Sequence, residues 1–152
     1  MMFSATRSQA GTALLEFVLA LPLLALLLLG GVEIGRYAYF AIQVGNAARA
    51  GVQYGAQNAV TALDAGGIIS AAQADGSTSI AALDVTPTNY CSCWNGSSGS
   101  AVACSGSCPA GSHLVEYVQV AVSGSVVPLF HYPFLPSTLT VSNTATMRIA
   151  AQ

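Results

Sequence analysis

The residues best suited to chemistry are few and scattered along the chain. Four cysteines, Cys91, Cys93, Cys104 and Cys108, lie around a Gly- and Ser-rich loop from Trp94 to Ala103. Such a cluster can coordinate zinc or form disulfides. Structural zinc sites favour pairs separated by two to four residues. Cys104 and Cys108 meet that spacing, whereas Cys91 and Cys93 are too close. In an exported domain the cysteines pair as disulfides, and that is the expectation here, with no metal. A bridge from Cys91 to Cys93 is strained by its one-residue loop. Both ways of joining Cys91 and Cys93 to Cys104 and Cys108 stay open, each bridge contributing roughly 3 kcal/mol. Trp94 either anchors a ligand at this tip or covers the bridges.

No catalytic set assembles from the remaining polar residues. His113 and His131 have no acid held beside them by sequence. Asp64, Asp75 and Asp84 are too dispersed for a calcium loop or a carboxylate pair. Gly96-Ser-Ser-Gly99 lacks the strand–turn–helix setting of a nucleophile elbow, and Asn95-Gly96-Ser97 is a glycosylation sequon. The chain reads as a non-enzyme without cofactors.

Glu16 is a carboxylate of another kind. It stands at the start of a run from Phe17 to Val32, FVLALPLLALLLLGGV, that contains no charge. Extended back to Thr12, the run makes a helix roughly 31 Å long, against a hydrocarbon core of about 30 Å. An acid inside such a helix costs about 2.5–3.5 kcal/mol at the bilayer centre and less near its edge. At the edge it complements the positive helix N-terminus. A cut after Gly11 creates a new amine at Thr12 and makes Glu16 the fifth residue of the mature helix. In a filament of packed helices, that acid can neutralise the amine of a neighbouring subunit.

Composition agrees with a membrane segment. Of the 152 residues only 7% are charged, none is lysine, and 53% are hydrophobic; an average soluble domain is about 25% charged. The mean hydropathy is +0.60. Arg7, Arg36, Arg49 and Arg148 form no cluster, which excludes nucleic acid as a partner. The run is too long for a secretory signal, and no Ala-x-Ala site follows it. Arg7 and the N-terminal amine precede the run, while Glu33 and Arg36 cancel after it, so the N-terminus is expected on the cytoplasmic side.

The elements that position these residues follow from periodicity. One long helix is expected from residue 12 to about 56, loosened at Pro22. Small residues at Gly31, Gly35, Ala38, Ala41, Gly45, Ala48, Val52 and Gly55 form a stripe that lets helices approach closely. Glu33 and Arg36 are spaced to pair. A weaker helix is predicted over Ala59–Ala74. Beyond it the pattern turns to period two, with strands over Ala82–Cys91, Leu114–Ser123 and Thr138–Ile149. Pro87 puts the first of these near a sheet edge, and Pro128, Pro133 and Pro136 occupy the connection between the other two. That connection also carries Leu129, Phe130, Tyr132, Phe134 and Leu135, either folded over the core or exposed as a contact surface.

Read together, Gly11-Thr-Ala-Leu-Leu-Glu16-Phe17, Leu21-Pro22-Leu-Leu, Glu33-Ile-Gly35-Arg36 and Asn46-Ala-Ala-Arg49-Ala-Gly51 resemble the TadE-like proteins. These are minor pilins, or pseudopilins, of bacterial tight-adherence (Flp) pilus systems. The resemblance implies a type IV pilin-like α+β fold: a long N-terminal transmembrane helix, then a small antiparallel β-sheet domain. It implies a leader over 1–11, a transmembrane helix with its extracytoplasmic continuation over 12–56, and an extracytoplasmic domain over 57–152 holding the disulfide loop 91–108. It also implies cleavage by a prepilin peptidase, with Gly11, Thr12, Glu16 and Phe17 as the processing residues. The other expected partners are the lipid bilayer, further pilin or pseudopilin subunits and the assembly machinery. Phe17, where major Flp pilins have Tyr, points to a minor component. The competing expectation is an uncleaved single-pass envelope protein whose β domain organises other components.

Overall fold

The structure, a computed structural model, describes residues 10–76, 83–130 and 136–150, and of residues 10–12 the backbone alone. Its elements in chain order are α1 (Ala10–Gly55), α2 (Ala59–Leu63), α3 (Ala65–Gly76), β1 (Leu83–Trp94), β2 (Gly99–Val102), β3 (His113–Val126) and β4 (Leu139–Arg148). The fold is α+β: a long apolar N-terminal helix followed by a four-stranded antiparallel sheet in the order β2-β1-β3-β4. The chain divides into two compact units, Met1–Arg36 and Tyr37–Gln152, and α1 contributes to both.

In the second unit α1 is amphipathic at helical spacing. Phe40, Gln43, Val44, Ala47, Ala48, Gly51, Val52 and Gly55 are buried, while Tyr39, Ile42, Asn46, Arg49 and Gln53 are exposed. Offsets of three and four place each set on one face. The buried face packs on α3 and on one side of the sheet. A β-carbon added at Gly51 would lie 3.2 Å from Val120 Cγ1 and from Ala72 Cβ. One added at Gly55 would lie 3.0 Å from Val118 Cγ1 and from Ile68 Cδ1. Val118, Val120 and Val122 alternate along β3 onto this side and are fully buried. Together with Val44, Val52, Ile68 and Ala72 they form the core.

Between α1 and the sheet, the single expected helix over Ala59–Ala74 is two helices. Asn58 opens α2 with a capping box, its Oδ1 accepting from the Val60 and Thr61 N–H groups. Asp64 then ends α2, and its Oδ1 accepts from the Gly67 N–H at 2.9 Å. A short acidic side chain that bonds the backbone three residues on starts a helix rather than continuing one.

The strands keep their expected places with different ends. β1 begins at Leu83 and runs on to Trp94, and Ala82 lies outside the described residues. Pro87 sits where β1 pairs with β3 alone, because β2 covers only Cys91 to Trp94. β2 itself corrects the expectation of plain loop after Trp94. Its turn is closed by Asn95, whose Oδ1 accepts from the Ser97 and Ser98 N–H groups, with Gly96 at φ +96. A positive φ there is natural for glycine. Gly-Ser-Ala-Val has too little apolar alternation to announce a strand.

Candidate functional site

From Ala13 to Arg36 most side chains of α1 are exposed. Leu14, Phe17, Leu19, Leu23, Leu26 and Leu28 are all more than half exposed, Leu28 at 71%. So large an apolar area is unfavourable in water at about 25 cal/mol per Å²; the helix is apolar and long enough to cross a bilayer. Glu16 is the one charged residue between Ala13 and Val32 and lies exposed on this helix. Glu33 and Arg36 pair at 3.7 Å where the charges resume. The helix runs unbroken through Pro22. Gly11 and Thr12 are helical in backbone, and Arg7 lies outside the described residues.

The stripe of small residues is divided between two environments. A β-carbon at Gly31 or Gly35 would meet nothing within 4 Å, and Ala38 is exposed. Ala41 is half-buried. A β-carbon at Gly45 would instead lie 3.5 Å from Asn143 Nδ2, and Ala48, Val52 and Gly55 are buried in the chain's own core. The second half of the stripe therefore receives the sheet and α3. Asn143, the polar residue on the inner face of β4, lies where Gly45 leaves room.

The four cysteines form two bridges, Cys91–Cys104 and Cys93–Cys108, with Cα separations of 5.0 and 5.5 Å. Cys91 and Cys93 are two apart on β1 and so share one side of the sheet, from which both reach the loop after β2. With every sulfur in a disulfide, none is left to hold zinc. Trp94 is half-buried, and a β-carbon at Gly99 would lie 3.3 Å from its ring. His113 is exposed opposite Trp94 in the β1–β3 register. Asp64, Asp75 and Asp84 stay apart, on the α2–α3 junction, α3 and β1. Leu129 and Phe130 are exposed; His131, Tyr132, Pro133, Phe134 and Leu135 lie outside the described residues.

One interaction escapes any sequence pattern. The Tyr54 hydroxyl, near the end of α1, donates to Asp64 Oδ2 at 2.8 Å. Asp64 thus caps α3 with one oxygen and holds α1 with the other. The Gly67 N–H, followed by the Tyr54 hydroxyl, stabilises the carboxylate and lowers the Asp64 pKa below its ordinary value.

Comparison with curated proteins and with solved structures found no match. The segment that carries the sequence resemblance, residues 11–53, is matched by the family model described as TadE-like protein, so over its N-terminal helix the chain is similar to that family.

Proposed function

We propose that this chain is a membrane-anchored minor pilin or pseudopilin that takes part in tight-adherence (Flp) pilus assembly, adhesion and biofilm formation. The TadE-like match suggests involvement in a Tad pilus system, and a single apolar N-terminal helix suggests membrane anchoring. The observation that carries the reading is the exposed apolar helix with Glu16 alone in its first turns, inside the matched segment. In this reading a prepilin peptidase cuts between Gly11 and Thr12 on the cytoplasmic side. The helix holds the subunit in the bilayer with the disulfide-bonded domain outside. On assembly, the Glu16 carboxylate neutralises the Thr12 amine of a neighbour, because an unpaired charge in an apolar bundle is costly. The open part of the small-residue stripe, Gly31, Gly35 and Ala38, lets helices of neighbouring subunits approach.

Ala10 favours a second reading. Many prepilin leaders carry a basic residue just before the glycine, and an uncleaved single-pass protein would use the same helix as a fixed anchor. Intact mass and N-terminal sequence of the protein from its native membranes separate the two. The expected chain begins at Thr12; one that begins at Met1 ends the pilin reading.

A further inference from the structure

The connection that leaves β3 is apolar where the opposite end of the sheet is polar. Val127 and Leu129 are more than half exposed, and Phe130 is 41% exposed. From Tyr117 to Met147 the sequence contains no Asp, Glu, Lys or Arg. The β1–β2 turn at the other end is Asn95-Gly96-Ser97-Ser98, and His113, Glu116 and Arg148 lie toward that end. Large apolar side chains gathered in one exposed loop mark a contact surface.

Three approaches fix where this loop lies along α1. A β-carbon at Gly55 would touch Val118, and one at Gly51 would touch Val120. One at Gly45 would lie 3.5 Å from Asn143 Nδ2, and Asn143 pairs with Val122. β3 therefore runs antiparallel to α1. Val126, at the end of β3, lies a further 13 Å or so along the strand from Val122. About nine helix residues cover that length, so from Gly45 the strand comes level with Tyr37, where the disulfide-bonded unit begins. The buried Phe40 and the half-buried Val126 and Val141 belong to one core, in keeping with this register.

At that end the chain passes from the folded unit into the exposed apolar helix read as the membrane span. Tyr37 and Tyr39 are exposed there, and tyrosine collects at headgroup level. On β1, the exposed Asp84 pairs with Ser123 and so stops about 10 Å short of Val126. We propose that Val127, Leu129 and Phe130 enter the headgroup–acyl boundary of the bilayer that holds α1. Position selects lipid as the partner, because the loop sits at the end of the unit from which the apolar helix leaves. Composition agrees: Leu and Phe gain by entering the boundary, and no charge of the loop is stripped of water. The contact gives the sheet domain a second hold on the membrane. This inference rests on the reading of α1 as a membrane span.

The test is quenching of tryptophan by brominated lipid, with the full chain at low density in phosphatidylcholine–phosphatidylglycerol vesicles. The chain has a single tryptophan, Trp94. It pairs with His113, roughly 40 Å from Val126 along β3, and its emission is expected to be equal in brominated and plain vesicles. In a Trp94→Phe background, Phe130→Trp and Val127→Trp are each expected to lose emission to lipids brominated near the headgroup. Lipids brominated at the chain end quench them less, as suits a depth of about 5–10 Å. Both replaced side chains reach solvent, and resistance of the cysteines to thiol labelling without reductant checks the fold of each variant. Leu24→Trp in the same background reads α1 itself. Quenching at Leu24 with none at either loop position overturns the loop contact alone. Quenching at neither Leu24 nor the loop ends the membrane reading, and the contact falls with it. A blue-shifted loop emission without quenching marks a protein partner and overturns the proposal, as does quenching of Trp94 equal to that of the loop.

Discussion

Asp64 joins three elements through one carboxylate. Its two oxygens bind the Gly67 N–H and the Tyr54 hydroxyl, both as acceptors, and both bonds favour the charged form. A carboxyl whose folded pKa is lowered contributes stability above its unfolded value of about 3.8. That contribution fades as pH falls through the folded value. Asp64→Asn keeps a capping oxygen and loses the charge, so it is expected to melt lower than the parent at pH 6. The gap between the two narrows steadily from pH 4 to pH 2. Thermal melts across that range check it, and a constant gap would rule out the charge as the cause. The Asx turn at Asn95, read from the sequence only as a sequon within a loop, and the capping box at Asn58 went unread, although Asn before Gly-Ser or before an Ala-rich run marks turns and helix starts. The Tyr54 partner left no such mark, because nothing local links two residues ten apart across a helix break.

At the scale of elements, α1 carries two kinds of small residue that look alike in sequence. Gly55 lies against Ile68 and Val118, whereas Gly35 has open space around it. Gly55→Val forces methyl groups into a filled core and is expected to destabilise the disulfide-bonded domain by about 1–3 kcal/mol. Gly35→Val is expected to leave the unfolding of that domain unchanged while lowering the fraction recovered in assembled material. Denaturant melts and sedimentation of membrane extracts measure the two effects. Equal loss of stability in both variants would contradict the division of the stripe. The strands show the same contrast between local and distant information. Alternation along Val118, Val120 and Val122 announced a half-buried strand, and the structure buries all three. β2 left no such trace, because its four residues form a strand only once the Asn95 turn and the two bridges hold them beside β1.

For the whole molecule, the core is confined to one of the two units. Every buried apolar residue from Phe40 to Ile149 belongs to Tyr37–Gln152, and none to Met1–Arg36 among the described residues. A chain starting at Tyr37 is therefore expected to fold alone, unfold cooperatively and keep both disulfides without detergent. Circular dichroism melts and thiol counting test this; a broad, non-cooperative melt would mean that the apolar helix is needed for the fold. The amino-acid sequence by itself determined the membrane-length helix, the lone carboxylate at its start, the period-two strands and the chemistry of the cysteines. Each of these depends on residue type and on spacings within a single element. Only the tertiary structure decided which cysteines pair, where the helix after α1 breaks, which half of the small-residue stripe the sheet consumes, and that the Tyr54 hydroxyl meets Asp64. Those features depend on distances between residues far apart in the chain, and these exist only once the sheet has closed against α1.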